Sequence, residues 1–357
     1  MKKNIRVSKI VSQRNFNYAP YWHLIYEWED DFANGLSVSI EKSGFTRRVI
    51  ARYFLSFLDR FKMSFLYEKL TFCIARFCAF IRLDQIYLLL QRMFFNGEVS
   101  LHFEMYPTSY YSLVPMKSRI PYIIDFDMGV NLQKFYYNYR NCSIVLISGK
   151  EAYNYLKAKQ CPLNIQHVPL SLSDRYRITN ENPLKKYDIF IGRKNKILES
   201  FLKKFLQAYP HTEYIVPEIK GKKYFYRSNI RGIIGEFPDR KSFLNLLSEC
   251  RVAFYTTPGM DEPNTKFINH VTSRLFEFVV SRCLLLGRYP DNSETREFKV
   301  AKVCPHIAEY DSFEKLMVSY LHPKVKLNNS NYSEYLSENY TSGRVAILKT
   351  ILKQHVK

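Results

Sequence analysis

The feature that most constrains this fold is the repeated alternation of short β-rich runs with helical stretches. In the first half, β-rich runs cover residues 100–106, 121–127, 143–148 and 165–169, with a predicted helix over 150–159. In the second half, runs at 187–192, 213–216, 252–256 and 283–287 alternate with predicted helices near 197–208, 240–250 and 273–280. Strands that alternate with helices form parallel sheets, because each helix returns the chain to the starting edge. The pattern predicts an α/β fold with two Rossmann-like domains.

A polar stretch at residues 171–186 separates the two halves and contains several Asp and Asn residues and a proline. Such a composition between two strand-like runs is typical of a connection between folded units. The length of 357 residues also suits two domains of about 150 residues each. We therefore predict one domain over residues 1–178 and a second over residues 179–357.

The chain is strongly basic, with 53 Lys and Arg against 33 Asp and Glu and a formal net charge of +20. Such a balance attracts nucleic acid, anionic lipid or phosphorylated small molecules, and charge alone does not choose among them. A basic nucleic-acid-binding protein is one interpretation. The sequence has no helix-turn-helix, zinc or RNA-recognition signature, however, and its basic residues are spread along the chain.

The seven cysteines are scattered and lie mostly in apolar runs, so we expect them to be reduced. No Cys-x-x-Cys pair occurs and the eight His are dispersed, which predicts no structural metal. The N-terminus lacks the apolar segment of a signal peptide, and no apolar run reaches the roughly 20 residues of a spanning helix. These features predict a cytoplasmic protein.

Residues 45–95 are both apolar and strongly basic, and they are predicted to be helical. Basic side chains occur here among many Phe, Leu and Ile; they are Arg47, Arg48, Arg52, Arg60, Lys62, Lys69, Arg76, Arg82 and Arg92. Two interpretations are open. Either these side chains form the solvated face of an amphipathic helix pair, or they dock the chain on an anionic membrane surface, where each contributes about 1 kcal/mol.

The most informative stretch lies between residues 264 and 292, where a polar loop runs into a predicted helix. Backbone N–H groups around Thr272, Ser273 and Arg274 open this helix, and a helix N-terminus attracts phosphate. The Arg274 guanidinium adds donors that fit phosphate oxygens, and His270 precedes the same turn. Glu277 follows one turn later, where a carboxylate accepts hydrogen bonds from two ribose hydroxyls. Phosphate donors and a diol acceptor one turn apart predict a nucleotide site.

A second candidate phosphate site is Gly192-Arg-Lys-Asn-Lys, at the predicted turn from a strand into the next helix. Ligands of Rossmann-like sheets bind at the carboxyl ends of the strands. Arg193 and Lys196, together with Lys194, are therefore predicted to reach a diphosphate. Either motif alone also fits a solvated surface charge, but both fall at strand-to-helix turns that should open onto the same face of one domain.

These residues resemble the donor-binding domain of GT-B glycosyltransferases, in particular bacterial enzymes of capsule and O-antigen assembly. The resemblance is strongest in Tyr255-Thr-Thr-Pro-Gly-Met-Asp, in Val271-Thr-Ser-Arg-Leu-Phe-Glu and in Gly287-Arg-Tyr-Pro-Asp-Asn. It implies an N-terminal acceptor-binding domain and a C-terminal donor-binding domain that face a central cleft, with a final helix that packs back on the first domain. It also implies that Glu277 holds the donor ribose, while the residues before it approach the phosphates and the sugar.

One position departs from this resemblance. Many retaining members carry another Glu eight positions before the ribose-binding one, and here that position is Asn269. Inversion is therefore favoured, and it needs a general base near the acceptor hydroxyl. The candidates are Asp127 and Asp125, at the end of a predicted strand, with Glu104 and His102 as runners-up. An Asp at such a turn also fits a helix cap.

The resemblance further implies the partners of the chain. A nucleotide-sugar donor and a lipid-linked or oligosaccharide acceptor are expected, with sugar transfer to a growing bacterial capsule or O-antigen polysaccharide at the anionic inner face of the cytoplasmic membrane. No metal, other cofactor or nucleic acid is expected. Asp125-Phe-Asp127 has the Asp-x-Asp spacing of metal-dependent transferases, but it lies in the acceptor-binding half. The alternative is a catalytically inactive GT-B scaffold of a polysaccharide assembly complex.

Overall fold

The computed structural model describes residues 5–14, 22–42, 98–108, 118–178, 183–220, 223–237, 239–322 and 329–354, with single positions 69, 70, 72–74, 76, 77, 80, 81 and 86. The chain divides into two compact units. Unit 1 comprises Met1–Pro169 and Val345–Lys357, and unit 2 comprises Leu170–Arg344. The first boundary, between Pro169 and Leu170, lies nine residues before the predicted junction at 178/179, and the chain returns to unit 1 at Val345.

Unit 1 is built on a sheet of six parallel strands. The strands are β1 (Arg6–Ser12), β2 (Ser39–Lys42), β3 (Glu98–Glu104), β4 (Arg119–Ile123), β5 (Val145–Ile147) and β6 (Ile165–His167). The helices that connect them within the described ranges are α1 (Trp22–Leu36), α2 (Leu132–Tyr139) and α3 (Lys150–Ala158). The strand order is β2-β1-β3-β4-β5-β6, and each neighbouring pair is parallel.

Burial explains why the strands of unit 1 read as apolar runs. All three residues of β5 are fully buried, as expected for a parallel sheet with helices on its faces. Phe135 of α2 packs in the same core as Ile123 of β4. Asn131 caps α2 by accepting a hydrogen bond from the Lys134 backbone N–H at 3.1 Å.

Unit 2 is built on a second sheet of six strands, which ends in an antiparallel hairpin. The strands are β7 (Tyr187–Ile191), β8 (Tyr214–Lys220), β9 (Lys223–Ser228), β10 (Gly232–Glu236), β11 (Cys250–Thr256) and β12 (Leu284–Arg288). Their order is β10-β9-β8-β7-β11-β12. Among these described strands, β9 pairs antiparallel with both β8 and β10, and the β8–β7–β11–β12 part is parallel.

The helices of unit 2 cover this sheet and extend beyond it. They are α4 (Lys196–Ala208), α5 (Arg240–Ser248), α6 (Arg274–Val280), α7 (Ser293–Glu297), α8 (Tyr310–Leu321), α9 (Asn329–Ser337) and α10 (Thr341–Gln354), with short 3₁₀ turns at Pro263–Thr265 and Val300–Lys302. Phe205 of α4 and Phe313 of α8 pack with Val252 of β11 in one core cluster. The residues of α10 from Val345 onward belong to unit 1, where the Val345 side chain approaches Gly35 of α1.

The predicted basic helical region 45–95 lies outside the described residues except at the single positions given above. The described positions from 69 to 80 are helical. Five of them and the next residue, Ile81, expose large apolar side chains; the five are Leu70, Phe72, Ile74, Phe77 and Phe80. None of the helices in the described part of the chain is long and apolar enough to cross a membrane.

Candidate functional site

The carboxyl edge of the second sheet is the place where the topology favours a ligand site. The chain leaves β7 toward β8 on one side, whereas β11 and β12 lie on the other side of β7. The strand order therefore reverses between β7 and β11, and ligands of open α/β sheets bind outside the carboxyl ends of the strands at such a point. Here the chain turns at Gly192 after β7 and at Thr257 after β11.

The Asn195 side chain forms hydrogen bonds on both of these turns. It is buried and caps α4, accepting hydrogen bonds from the backbone N–H groups of Ile197 and Leu198, both at 3.1 Å. Its amide donates to the Met260 carbonyl at 3.1 Å and to Asp261 Oδ2 at 2.9 Å. The turn after β7 is thereby held against the loop after β11. The sequence interpretation selected the basic residues on either side of Asn195 and missed Asn195 itself, although Asn before a helix is a cap signal.

The end of β12 joins the same network through Arg288. Its guanidinium donates to both oxygens of Asp261, with Nε–Oδ2 at 2.6 Å and Nη2–Oδ1 at 3.0 Å, and to the Ile307 carbonyl at 2.8 Å. The hydrogen bonds from Arg288 hold the pKa of Asp261 below its usual value. Asp261 has φ 61°, in the left-handed region, so the loop keeps this conformation against a local strain.

Glu277 is the centre of a buried ionic cluster formed with Arg240 and Arg274. Arg240 Nη1 donates to Glu277 Oε1 at 2.6 Å, and Arg274 Nη1 forms an ion pair with Oε2 at 2.8 Å. Glu277 is 2% exposed. Burial alone would raise the pKa of the Glu277 carboxyl, but the positive charges of Arg240 and Arg274 outweigh burial and hold the pKa below its usual value. The sequence interpretation did not include Arg240.

The two predicted phosphate motifs meet at Gly192. A methyl group at Gly192 would lie only 2.9 Å from Phe278 Cζ, so glycine permits the close approach of α6, and it would be in ordinary contact with Arg274 Cδ at 3.6 Å. Arg193 and Lys196 are exposed on the same turn. The start of α6 thus brings the Arg274 side chain next to the turn that carries Arg193 and Lys196 at the carboxyl edge of the sheet.

The residues before α6 are buried or hydrogen-bonded to other parts of unit 2, which the sequence did not predict. The Thr272 backbone N–H donates to the Tyr255 hydroxyl at 3.3 Å. Ser273 occupies the N-cap position of α6 without capping the helix through its side chain. His270 is buried. Asn269, which replaces the carboxylate of the retaining pattern, accepts a hydrogen bond from the Thr257 hydroxyl at 3.3 Å and packs against Gly259.

The candidate bases of unit 1 lie just beyond the carboxyl end of β4. Asp127 Oδ1 accepts a hydrogen bond from the Gly129 backbone N–H at 2.7 Å, and Asn131 rather than Asp127 caps the following helix. The Asp125 backbone N–H donates to the Met105 carbonyl at 2.7 Å. Both Asp side chains are partly exposed.

The two runners-up are held by neighbours in the first sheet. Glu104 is buried, accepts a hydrogen bond from the Tyr139 hydroxyl at 2.6 Å and lies 3.4 Å from Arg119 Nη2. His102 Nε2 is 2.8 Å from the Ser100 hydroxyl. The structure gives Glu104 a structural role in joining β3, β4 and α2.

Comparisons with known proteins agree with this architecture. No protein-family model matches the chain, and no curated protein matches it by sequence. Among solved structures, it is similar to the N-terminal domain of Candida albicans trehalose-6-phosphate phosphatase, with a TM-score of 0.52 and 10% identity over 99% of this chain and 98% of that one. The chain shares its overall fold with that domain. The predicted fold class, α/β with two Rossmann-like units, is confirmed.

Two further solved structures are similar at lower scores. The DNA-modifying enzyme β-glucosyltransferase gives a TM-score of 0.46 at 9% identity over 99% of this chain and all 100% of that one. A chain of the GtfA/B complex gives 0.45 at 11% identity over 76% of this chain. The present chain spans only 60% of that GtfA/B chain. At identities this low, the likeness concerns the fold alone.

Proposed function

We propose that this chain is a glycosyltransferase that moves a sugar from a nucleotide-activated donor to an acceptor hydroxyl. The observation that carries the proposal is the meeting of Arg274 with the Gly192 turn at the switch point of the second sheet. A cationic edge at this place suits a ligand whose phosphates approach the strand ends.

In this proposal the donor diphosphate lies between the two basic motifs of unit 2. Arg274 and the exposed Arg193 and Lys196 bind its oxygens, and Thr272 and Ser273, with His270 behind them, shape the turn that the phosphates approach. Bond cleavage leaves negative charge on the departing nucleoside diphosphate. Fixed cationic donors lower the barrier because they are in place before that charge develops.

The reaction also needs a base for the acceptor hydroxyl. We propose Asp127, with Asp125 beside it in sequence, for inverting transfer. The Asx turn to Gly129 engages one Asp127 oxygen and leaves carboxylate lone pairs for an acceptor proton. The amide of Asn269 supports inversion, since it provides no second carboxylate at the position where the retaining pattern has one.

The acceptor proposed is the growing, lipid-linked chain of a bacterial surface polysaccharide, either capsule or O-antigen. The apolar side chains exposed between Leu70 and Ile81 support this choice. Leu70, Ile74, Phe77 and Ile81 follow helical spacing, so they share one face of a helix. Lys69 and Arg76 lie beside that face. An apolar face with cations along one side fits the surface of an anionic membrane, where a lipid-linked acceptor would be presented.

A panel of nucleotide sugars tests the proposed function. The purified protein should be stabilised thermally by one donor and should release the matching nucleotide during turnover. Arg274→Ala should lower kcat more than it raises KM, by about ten- to a hundredfold in kcat/KM, because its charge-assisted bonds strengthen as the leaving group forms. Arg296→Ala is the matched control, since Arg296 is an exposed arginine of the same unit that pairs with Asp291. If no donor stabilises the protein, or if both variants keep wild-type kinetics, the proposal fails.

We further propose that transfer needs no divalent metal, because cationic side chains occupy the edge where the phosphates would bind. Turnover with the selected donor should be unchanged after treatment with EDTA and should not rise on addition of Mg²⁺ or Mn²⁺. Loss of turnover with chelator and recovery with either ion would contradict this proposal.

A further inference from the structure

We propose that Glu277 is a positioning residue, which aims the Arg274 guanidinium at the donor diphosphate while Arg240 holds the other carboxylate oxygen. This inference rests on the proposed function. It gives Glu277 a role different from the ribose binding that the sequence implies.

The burial of Glu277 argues against direct contact with ribose. Oε1 accepts a hydrogen bond from Arg240 at 2.6 Å, and Oε2 lies 2.8 Å from Arg274 Nη1 in an ion pair that lacks hydrogen-bond geometry. A ribose hydroxyl would have to approach an oxygen to about 2.7 Å. The Glu277 side chain is 3% exposed, so it offers almost no surface for that approach.

Arg274 is the member of the cluster that a ligand can reach. Its side chain is 36% exposed, whereas that of Arg240 is 11% exposed. The Arg274 guanidinium lies 4.5 Å from the centre of the Phe243 ring, which supports it from one side. Its Cδ lies beside Gly192, on the turn that carries Arg193. The ion pair, the ring and the turn together fix the direction of this side chain.

The charge of the cluster favours an anionic ligand. Among these three side chains, two guanidinium groups and one carboxylate leave an excess of one positive charge. A diphosphate would compensate this charge, whereas a neutral ribose would not. The carboxylate also holds Arg274 in place before a ligand arrives, so binding does not have to immobilise a long, flexible side chain.

The test compares a nucleoside diphosphate with its 2′,3′-dideoxy analogue, which lacks both ribose hydroxyls. The base is the one selected by the donor panel, and affinities are measured by calorimetry. Glu277→Gln should weaken binding of both ligands by the same factor, roughly three- to tenfold. If Glu277 held the ribose, the substitution would weaken binding of the ribonucleotide and leave binding of the dideoxy analogue unchanged. That result would overturn the inference.

Three further variants separate positioning from a general loss of structure. Arg240→Gln should also weaken the binding of both ligands by the same factor, although Arg240 is proposed to contact neither ligand. Arg274→Ala/Glu277→Gln should bind no more weakly than Arg274→Ala alone, because Glu277 acts through Arg274. Glu213→Gln is the matched control: Glu213 is buried and pairs with Arg231 at 2.9 Å, at the amino end of β8. If the affinity losses of the two single variants added in the double variant, or if Glu213→Gln lost as much affinity as Glu277→Gln, the result would count against positioning.

Inorganic pyrophosphate distinguishes failure of this inference from failure of the proposed function. A wild-type protein that binds no nucleoside diphosphate lacks the proposed donor site, yet the cluster can still be tested. Pyrophosphate binding that falls in Glu277→Gln by the same roughly three- to tenfold supports positioning of Arg274. Pyrophosphate bound equally by both proteins, or by neither, overturns it.

Discussion

Glu29 shows how one buried side chain can make stability depend on pH. It lies in α1, where the hydroxyl of Ser12 at the end of β1 donates to its Oε2 at 2.5 Å and Arg14 Nε donates to the same oxygen at 3.1 Å. Burial raises the pKa of Glu29 to about 7, against the effect of these two hydrogen bonds. The folded protein therefore holds a proton on this carboxyl at pH values where the unfolded chain has released it.

We predict that the free energy of unfolding of unit 1 falls as pH rises through this window. The stabilisation from a raised pKa is complete below the unfolded value of 4.5 and is lost as pH rises to about 7. A shift of this size corresponds to a loss on the order of 3 kcal/mol. Glu29→Gln stays neutral, so it should lack this decline. Urea unfolding can be followed by Trp fluorescence, because both Trp residues of the chain, Trp22 and Trp28, lie in α1.

The control for this experiment is Glu41→Gln, which removes an exposed carboxylate paired with Lys9 in the same unit. Its stability curve should keep the wild-type pH dependence. Parallel curves for the wild type and Glu29→Gln across the window would show that Glu29 does not titrate as described.

At the scale of elements, the connection between β7 and α4 depends on more than its helix cap. Asn195 satisfies two backbone N–H groups of α4, and its amide reaches the loop after β11. Arg288 then joins the end of β12 to Asp261 of the same loop. Three neighbouring strand ends are therefore linked by polar contacts, which makes this edge of the sheet rigid enough to place cationic side chains.

We predict that Asn195→Ala destabilises unit 2 by about 2–4 kcal/mol, because it removes a helix cap and leaves buried polar groups of the β11 loop without their donor. Asp239→Ala is the comparison in the same unit, since the Asp239 side chain caps α5 at an exposed site through Ser242 N at 2.8 Å. It should cost only about 1 kcal/mol. Calorimetric melts of the two variants measure the difference, and equal losses would show that the contacts to the β11 loop add nothing.

The whole molecule combines a formal net charge of +20 with an apolar stripe at Leu70, Ile74, Phe77 and Ile81. Either feature alone gives weak attraction to a membrane. Together they add burial of apolar area to electrostatic attraction, which is the usual requirement for stable interfacial binding.

We predict that the protein floats with vesicles that contain anionic lipid and that this binding weakens as salt is raised. Ile74→Ser/Phe77→Ser should reduce binding by at least about tenfold, because each apolar side chain contributes about 1.5 kcal/mol or more when buried. Ile230→Ser, at an exposed apolar residue of unit 2, should bind like the wild type. Equal binding to neutral and anionic vesicles would contradict the prediction.

Local sequence patterns determined much of the fold, because hydrophobic periodicity records which face of an element is buried. The alternation of strand and helix predicted β3 to β8, β11 and β12 within a few residues, and the α/β class followed from it. The pattern did not predict β1, in which Arg6 and Lys9 interrupt the apolar residues, nor β2, nor the β9–β10 hairpin. These strands acquire their place from neighbours such as β3 and β8, which lie elsewhere in the sequence.

The candidate site was only partly predictable for the same reason. Glycine and basic residues at the ends of predicted elements identified the turn after β7 and the start of α6 from local signals. The tertiary structure alone placed Gly192 against Arg274, joined Asn195 to Asp261, and set Arg240 on a carboxylate 37 positions away. The environment of a buried charge depends on which distant residues surround it after folding. Sequence therefore determined where the polar side chains of this edge occur, and the tertiary structure decided which of them are buried with distant partners and which are exposed.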